Sequence, residues 1–288
     1  MAIRRSLAPY GVSDLLVQIG LWVVFGLAYE AVRGAVVHDR ARAFSDSERI
    51  IDLERRTHTF FELALQHDLP SGHAIAPAFR LSYWISEFVL LVLALVYTYF
   101  RHRKTYALFR DAVLLTNSLG LLGYLFLPTA PPRLLAGYGF RNDLSGQPTP
   151  DHATGLIAFA ANPYAAMPSL HVADAILIGL FLASLSHSMP IKALWLLWPC
   201  WLSYVVIASG NHFWLDVAAG AALAAISLLI SSQVRRPRTP DAYGLGKSSF
   251  LSGHARRSRE GGGDITLASQ PTGTMREVAA APRLVVGG

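Results

Sequence analysis

Six apolar runs divide the chain, at residues 15–37, 83–100, 112–127, 170–185, 193–209 and 213–231. A helix needs about 20 apolar residues to cross a hydrocarbon core, and each run comes near that length. In lipid the backbone must bond to itself, which leaves helices or closed barrels. Barrel strands alternate apolar and polar positions, and these runs do not. The pattern predicts an all-α, polytopic membrane protein with a bundle of six transmembrane helices. Arg4 and Arg5 precede the first run, but no clear small-residue cleavage site follows it. It reads as a retained span rather than a cleaved signal peptide.

Two segments fall outside this pattern. Residues 45–68 interleave Ile50, Ile51, Leu53, Phe60, Phe61, Leu63 and Leu65 with charge. They predict an outer amphipathic helix, lying on the membrane interface or packed as a lid on the spans. Residues 233–288 are rich in Gly, Pro, Ser and Arg and lack the apolar content for a core. They predict a disordered cytoplasmic tail, beside one membrane domain over residues 1–232.

Composition sharpens the class. The chain is 52% hydrophobic and only 15% charged, against about 25% charge in ordinary soluble domains. That low charge speaks against an ordinary cytosolic enzyme. The one cysteine, Cys200, excludes an internal disulfide scaffold and a cysteine-cluster metal site. The +6 net charge reads as cytoplasmic-loop charge, not as a nucleic-acid footprint, and no glycine-rich nucleotide loop is present. With six spans, Arg4, Arg5, Arg101, Arg103, Lys104, Arg110, Lys192, Arg235, Arg236 and Arg238 fall on one side. The positive-inside rule makes that side cytoplasmic, with both termini.

Polar residues at membrane depth are costly and mark function by default. Three groups fall at the outer span ends: Pro128-Thr-Ala-Pro-Pro-Arg133, Ala166-Met-Pro-Ser-Leu-His171, and Ser209-Gly-Asn-His-Phe-Trp-Leu-Asp216. His212 and Asp216 are spaced i, i+4, so on a helix they share a face. The carboxylate then orients an imidazole base or nucleophile; the plain alternative is a His–Asp pair sealing a helix end. His171 follows Pro168 and Ser169 at a helix start, an anion-binding position, where it protonates a leaving oxygen or merely sits at the interface. Arg133 carries a planar fork suited to phosphate, or anchors at headgroup level. The expected catalytic residues are His212, His171 and Asp216, and the expected phosphate-binding residues are Arg133, Ser169 and Asn211. Asp174, Arg141 and Tyr164 are expected in support. These groups suit phosphoryl transfer through a phosphohistidine, with no metal or other cofactor. Zinc ligation by His171, His212 and Asp216, and a transporter with intramembrane polar groups, are the competing classes.

AMPSLH, followed some forty residues later by GNHFWLDVAAG, resembles the type 2 phosphatidic acid phosphatase superfamily. PTAPPR narrows the resemblance to the branch with inositol phosphorylceramide synthases, over most of residues 45–232. The resemblance implies a six-helix bundle with its site on the outer face of the plasma membrane. It implies His212 as nucleophile, His171 as acid and Asp216 as orienting carboxylate, with a lipid phosphate as substrate. The broad phosphatase pattern carries KxxxxxxRP, PSGH and SRxxxxxHxxxD. Here Phe126 stands at the Lys position, PSLH replaces PSGH, and Val205 and Val206 replace Ser-Arg. Two phosphate-holding cations are thus absent. This favours transfer of a phospho-head group to an alcohol, as by an inositolphosphotransferase, with a phosphatase using water as the alternative.

Overall fold

The apolar runs lie on helical segments wherever the computed structural model describes them, and it describes residues 10–35, 40–70, 72–142, 144 and 164–235. The described chain is nearly all helical and contains no strand; an isolated parallel bridge joins Thr129 to Ala165. In chain order the helices are α1 (Val12–Ala35), α2 (Arg40–Arg56), α3 (Glu62–His67), α4 (Gly72–Trp84), α5 (Leu91–Arg101), α6 (Arg103–Phe126), α7 (Leu170–Leu185), α8 (Met189–Ala208) and α9 (Trp214–Arg235). A π-helical turn, Ile85–Leu90, joins α4 to α5. Three helical segments are long and apolar enough to cross a membrane: Val12–Gly34, Met189–Ala208 and Trp214–Arg235. The shorter helices α5 and α7 are apolar as well.

The middle of the bundle is α7. It packs against α5, α6, α8 and α9, and a helix surrounded by neighbours is apolar all round. Leu177, Ile178 and Phe181 of α7 meet Phe109 and Val113 of α6 in the main core. Small residues let the flanking helices close on the turn before α7. A Cβ on Gly220 of α9 would lie 2.3 Å from the Ser169 carbonyl oxygen, and one on Gly123 of α6 would lie 2.4 Å from Pro168 Cδ. Glycine at both positions brings the backbone of residues 168–169 into direct contact with two helices.

The structure corrects the sequence reading in two places. The charges expected in a loop between the second and third spans are helical, because His102 alone separates α5 from α6. Arg103 Nη2 donates to Asp14 at 2.5 Å and Tyr99 Oη to the same carboxylate at 2.8 Å. Arg110 Nη1 donates to Gln18 at 2.8 Å, and Asp111 pairs with both Arg110 and Arg235. These bonds tie α1, whose apolar face is otherwise largely exposed, to α5 and α6, while Arg235 ties α9 to α6. Residues 45–68, expected as one amphipathic helix, are two. Thr57 and Thr59 hydroxyls bond the carbonyls of Leu53 and Glu54, and His58 takes a left-handed φ of 56°, which breaks the helix. The expected tail lies outside the described residues from 236 onward, as do Arg4 and Arg5.

Candidate active site

Backbone hydrogen bonds draw the three polar segments together. The Thr129 N–H donates to the Tyr164 carbonyl at 2.8 Å, and the Ala166 N–H to the Thr129 carbonyl at 3.2 Å. The Arg133 N–H donates to Gly210 at 2.8 Å, and the Ser169 N–H to Asp216 at 3.0 Å. The N–H groups of Asn211 and His212 both donate to the carbonyl of Val206, at 2.9 and 3.1 Å. Gly210 has φ 71°, and a Cβ there would come within 3.0 Å of Gln66 Nε2 and 3.3 Å of the Arg133 nitrogen. That turn requires glycine for both reasons.

His212 is buried, and its Nδ1 lies 2.8 Å from the Ala166 carbonyl oxygen. A carbonyl only accepts, so this bond places the proton on Nδ1 and leaves the Nε2 lone pair available. Asp216 stands farther away, with Oδ2 3.5 Å from Nδ1. That oxygen accepts the Phe213 N–H at 2.9 Å. The helix starts at Trp214, so His212 precedes it rather than sharing a helical face with Asp216, as the i, i+4 spacing predicted. A carbonyl from the PSLH segment makes the shorter contact to the ring; Asp216 lies behind it and ties down the start of α9.

His171, in the first turn of α7, faces His212 with ring centroids 6.0 Å apart. Arg133 is buried in a 3₁₀ turn, Pro132–Leu134, and its Nε donates to Asn211 Oδ1 at 3.0 Å. Burial pushes the guanidinium below its ordinary range, and nearby Tyr83 opposes that shift. Arg133 Nη1, Ser169 Oγ and Asp216 Oδ1 are buried without a hydrogen-bond partner among the described residues. Two of these three, on Arg133 and Ser169, are donors, and a buried donor left unsatisfied is costly.

The remaining expected residues take other places. Asn211 has both ends of its amide engaged, with Oδ1 accepting from Arg133 and Nδ2 donating to Ser209 Oγ at 2.9 Å. Its observed contacts orient Arg133, where direct phosphate binding was expected. The Ser169 N–H is used by Asp216, which leaves the hydroxyl as that residue's orphan donor. Asp174, one turn below His171, accepts from Asn117 Nδ2 at 3.2 Å. Arg141 is held through its backbone: its N–H donates to Gln66 Oε1 at 2.6 Å and its carbonyl accepts from Gln66 Nε2 at 3.0 Å. The Tyr164 ring packs on Phe44 and Ala43 in a small apolar cluster.

Sequence reasoning missed a set of buried polar residues on α2 and α3. Ser47 Oγ accepts the Ala130 N–H at 2.9 Å, holding the PTAPPR segment. Gln66 holds residue 141. Glu62 accepts the Trp214 N–H at 3.0 Å, two residues past His212, and the Phe61 N–H at 3.0 Å. A carboxylate beside Phe60 and Phe61, within an apolar run, was the available signal for this one. Glu54 is fully buried behind Glu62, and neither of its oxygens makes a well-formed hydrogen bond. Burial, and then the neighbouring Glu62, push its carboxyl from an ordinary 4.5 up to about 9. A raised acid contributes stability that is fully present below about pH 4.5 and is lost as pH climbs to about 9. Thermal unfolding in detergent is therefore expected to show the wild type losing stability from pH 5 to 9, and Glu54→Gln losing less across the same range. Equal slopes would show that Glu54 does not titrate this way.

The chain is similar to a phosphoinositol dihydroceramide synthase of Bacteroides thetaiotaomicron, 29% identical over 161 residues that cover 51% of each protein. The chain thus spans about half the length of that relative. It is also similar to the crystal structure of Aquifex aeolicus LpxE, with 20% identity and a TM-score of 0.45 over 60% of this chain and 93% of that one. The sequence model of the PAP2 superfamily matches residues 48–230, which contain all three polar segments, and the chain belongs to that superfamily.

Proposed function

We propose that this chain is an integral membrane enzyme that moves a phospho-head group from a lipid to an alcohol through a phosphohistidine on His212. The observation that carries the reading is the 2.8 Å contact between His212 Nδ1 and the Ala166 carbonyl oxygen. The Ala166 carbonyl holds the proton on Nδ1, so the Nε2 lone pair is the nucleophile. It attacks phosphorus, and the bond from phosphorus to the leaving oxygen breaks. His171 gives that oxygen a proton. The acceptor oxygen then attacks phosphorus and passes its proton to His171, and the P–Nε2 bond breaks with its electron pair returning to His212. Arg133 Nη1 and Ser169 Oγ, the two orphan donors, hold the non-bridging oxygens as charge develops. The two rings face each other with centroids 6.0 Å apart, which sets the nucleophile and the acid on one site. No step of this route calls for a metal.

Two observations support an alcohol as acceptor over water. Phe126, at the lysine position of the phosphatase pattern, is 66% exposed, and Val205 and Val206, at the Ser-Arg positions, are buried in the apolar core. Of those cationic positions Arg133 alone is filled, which suits a singly charged phosphodiester better than a dianionic monoester. The Bacteroides relative is also named for a phosphoinositol lipid product. For topology, the three polar segments gather at one end of α6 to α9, while Arg103, Arg110 and Arg235 lie at the other. We place that basic end and both termini in the cytoplasm, and the site on the outer face of the plasma membrane, with six spans.

The test is a panel of lipids in detergent, phosphatidic acid and phosphatidylinositol among them, with and without a ceramide-type alcohol. Head-group transfer that needs the alcohol is the expected result. Release of inorganic phosphate from phosphatidic acid without any alcohol would make the protein a phosphatase instead.

A further inference from the structure

Tyr83 occupies a place that the reaction above leaves unassigned. Its ring stacks on His171, with centroids 3.9 Å apart and planes inclined by 31°. The Tyr83 phenol also acts electrostatically on the buried Arg133, while the stack on His171 sets its ring beside the histidines. Its helix is anchored on either side of it. Trp201 Nε1 donates to Ser82 Oγ at 3.0 Å, and Trp198 Nε1 to Ser86 Oγ at 3.2 Å. Two residues after Tyr83 the helix widens into the π turn Ile85–Leu90, a rare form that gathers at functional sites.

The outer torsion of a histidine side chain is broad, and a flat ring lying against the imidazole narrows it. A proton donor that swings is out of line with the leaving oxygen for much of the time. The cradle also has few donors for the oxygens of a phosphate. Ser169 Oγ is neutral, Arg133 Nη1 is the one charged orphan donor of the two, and the patterned Lys and Arg are replaced by Phe126 and Val206.

We propose that Tyr83 is a third functional side chain of this site: its ring holds the plane of His171 for proton transfer, and its phenol donates a neutral hydrogen bond to the phosphate oxygens beside Arg133. The proposal rests on the phosphoryl-transfer reading and deepens it. One cation with neutral hydroxyls from Ser169 and Tyr83 makes a cradle for a singly charged phosphodiester.

The two roles separate in two variants. Tyr83→Phe keeps the stack and loses one neutral donor. It is expected to weaken orthovanadate binding and to lower kcat by a similar factor, about 3- to 10-fold, the worth of one neutral hydrogen bond. Tyr83→Leu loses the stack as well and is expected to cut kcat about 100-fold, as a misaligned reacting group does, in protein that still melts as the wild type. A far smaller loss of kcat in Tyr83→Phe than in Tyr83→Leu assigns the larger effect to the stacked ring rather than to the hydroxyl, and its single lost oxygen leaves the fold intact if Tyr83→Leu does not fold. Arg133→Ala serves as the control and is expected to lose orthovanadate binding. If it does and Tyr83→Phe binds orthovanadate as the wild type, the donor role is overturned. A folded Tyr83→Leu with wild-type kcat overturns the positioning role. If Arg133→Ala binds as well as the wild type, the cradle itself is wrong and the Tyr83 assignment falls with it.

Discussion

His212→Ala is expected to reduce turnover by roughly four orders of magnitude or more, the scale seen when a covalent nucleophile is removed. The protein should remain folded. The substitution removes one hydrogen bond, to the Ala166 carbonyl, worth about 1 kcal/mol. The contacts that fix the turn do not use the ring: Val206 holds the His212 N–H, and Asp216 and Glu62 hold the N–H groups of Phe213 and Trp214. Thermal unfolding beside the activity assay separates the two effects. A folded His212→Ala protein with substantial turnover would end the covalent route.

Arg133→Lys is expected to cost about 100- to 1,000-fold in kcat/KM, the range for losing one preorganised donor to developing charge. The exchange keeps the charge and removes the fork. In the wild type Nε binds Asn211 and Nη1 is left over for the substrate. An ammonium lacks that planar geometry and cannot keep the Asn211 bond while presenting a second donor in the same plane. A buried, unsatisfied, charged donor is costly in the empty site. On the proposed route the arriving phosphate relieves that cost, so the substitution is expected to raise KM as well as to lower kcat. Steady-state kinetics on the lipid that turns over in the panel check this, and a loss below tenfold would remove Arg133 from the cradle.

The helices were legible because their signals are local. The apolar run 170–185 coincides with α7 (Leu170–Leu185), punctuated ahead by Pro168 and Ser169. The first two turns of α6 were missed because Arg103, Lys104 and Arg110 look like loop charge. Their partners Asp14 and Gln18 lie about ninety residues away, and no local pattern announces such a pairing. The site was legible as three polar segments at matching span ends. The details that decide its chemistry were hidden for one physical reason: they are backbone groups or distant carboxylates. The carbonyl of Ala166, which sets the His212 tautomer, leaves no trace in residue type. Glu54, Glu62 and Gln66 read as the polar face of a surface helix, yet all three are buried, with Glu62 and Gln66 bonded to segments that carry the site. Tyr83 read as the start of an apolar span, and only the packing of α4 against α7 brings it onto His171.

The covalent step on His212 is the central claim, and trapping the intermediate tests it most directly. A lipid substrate labelled with ³²P at its phosphorus is mixed with the enzyme without acceptor, quenched in alkali, and the labelled peptide sequenced. The account predicts an acid-labile, alkali-stable label on His212, absent from His212→Ala and discharged when the alcohol is added before the quench. Full single turnover with no protein-bound label, or a label on another residue, would contradict it.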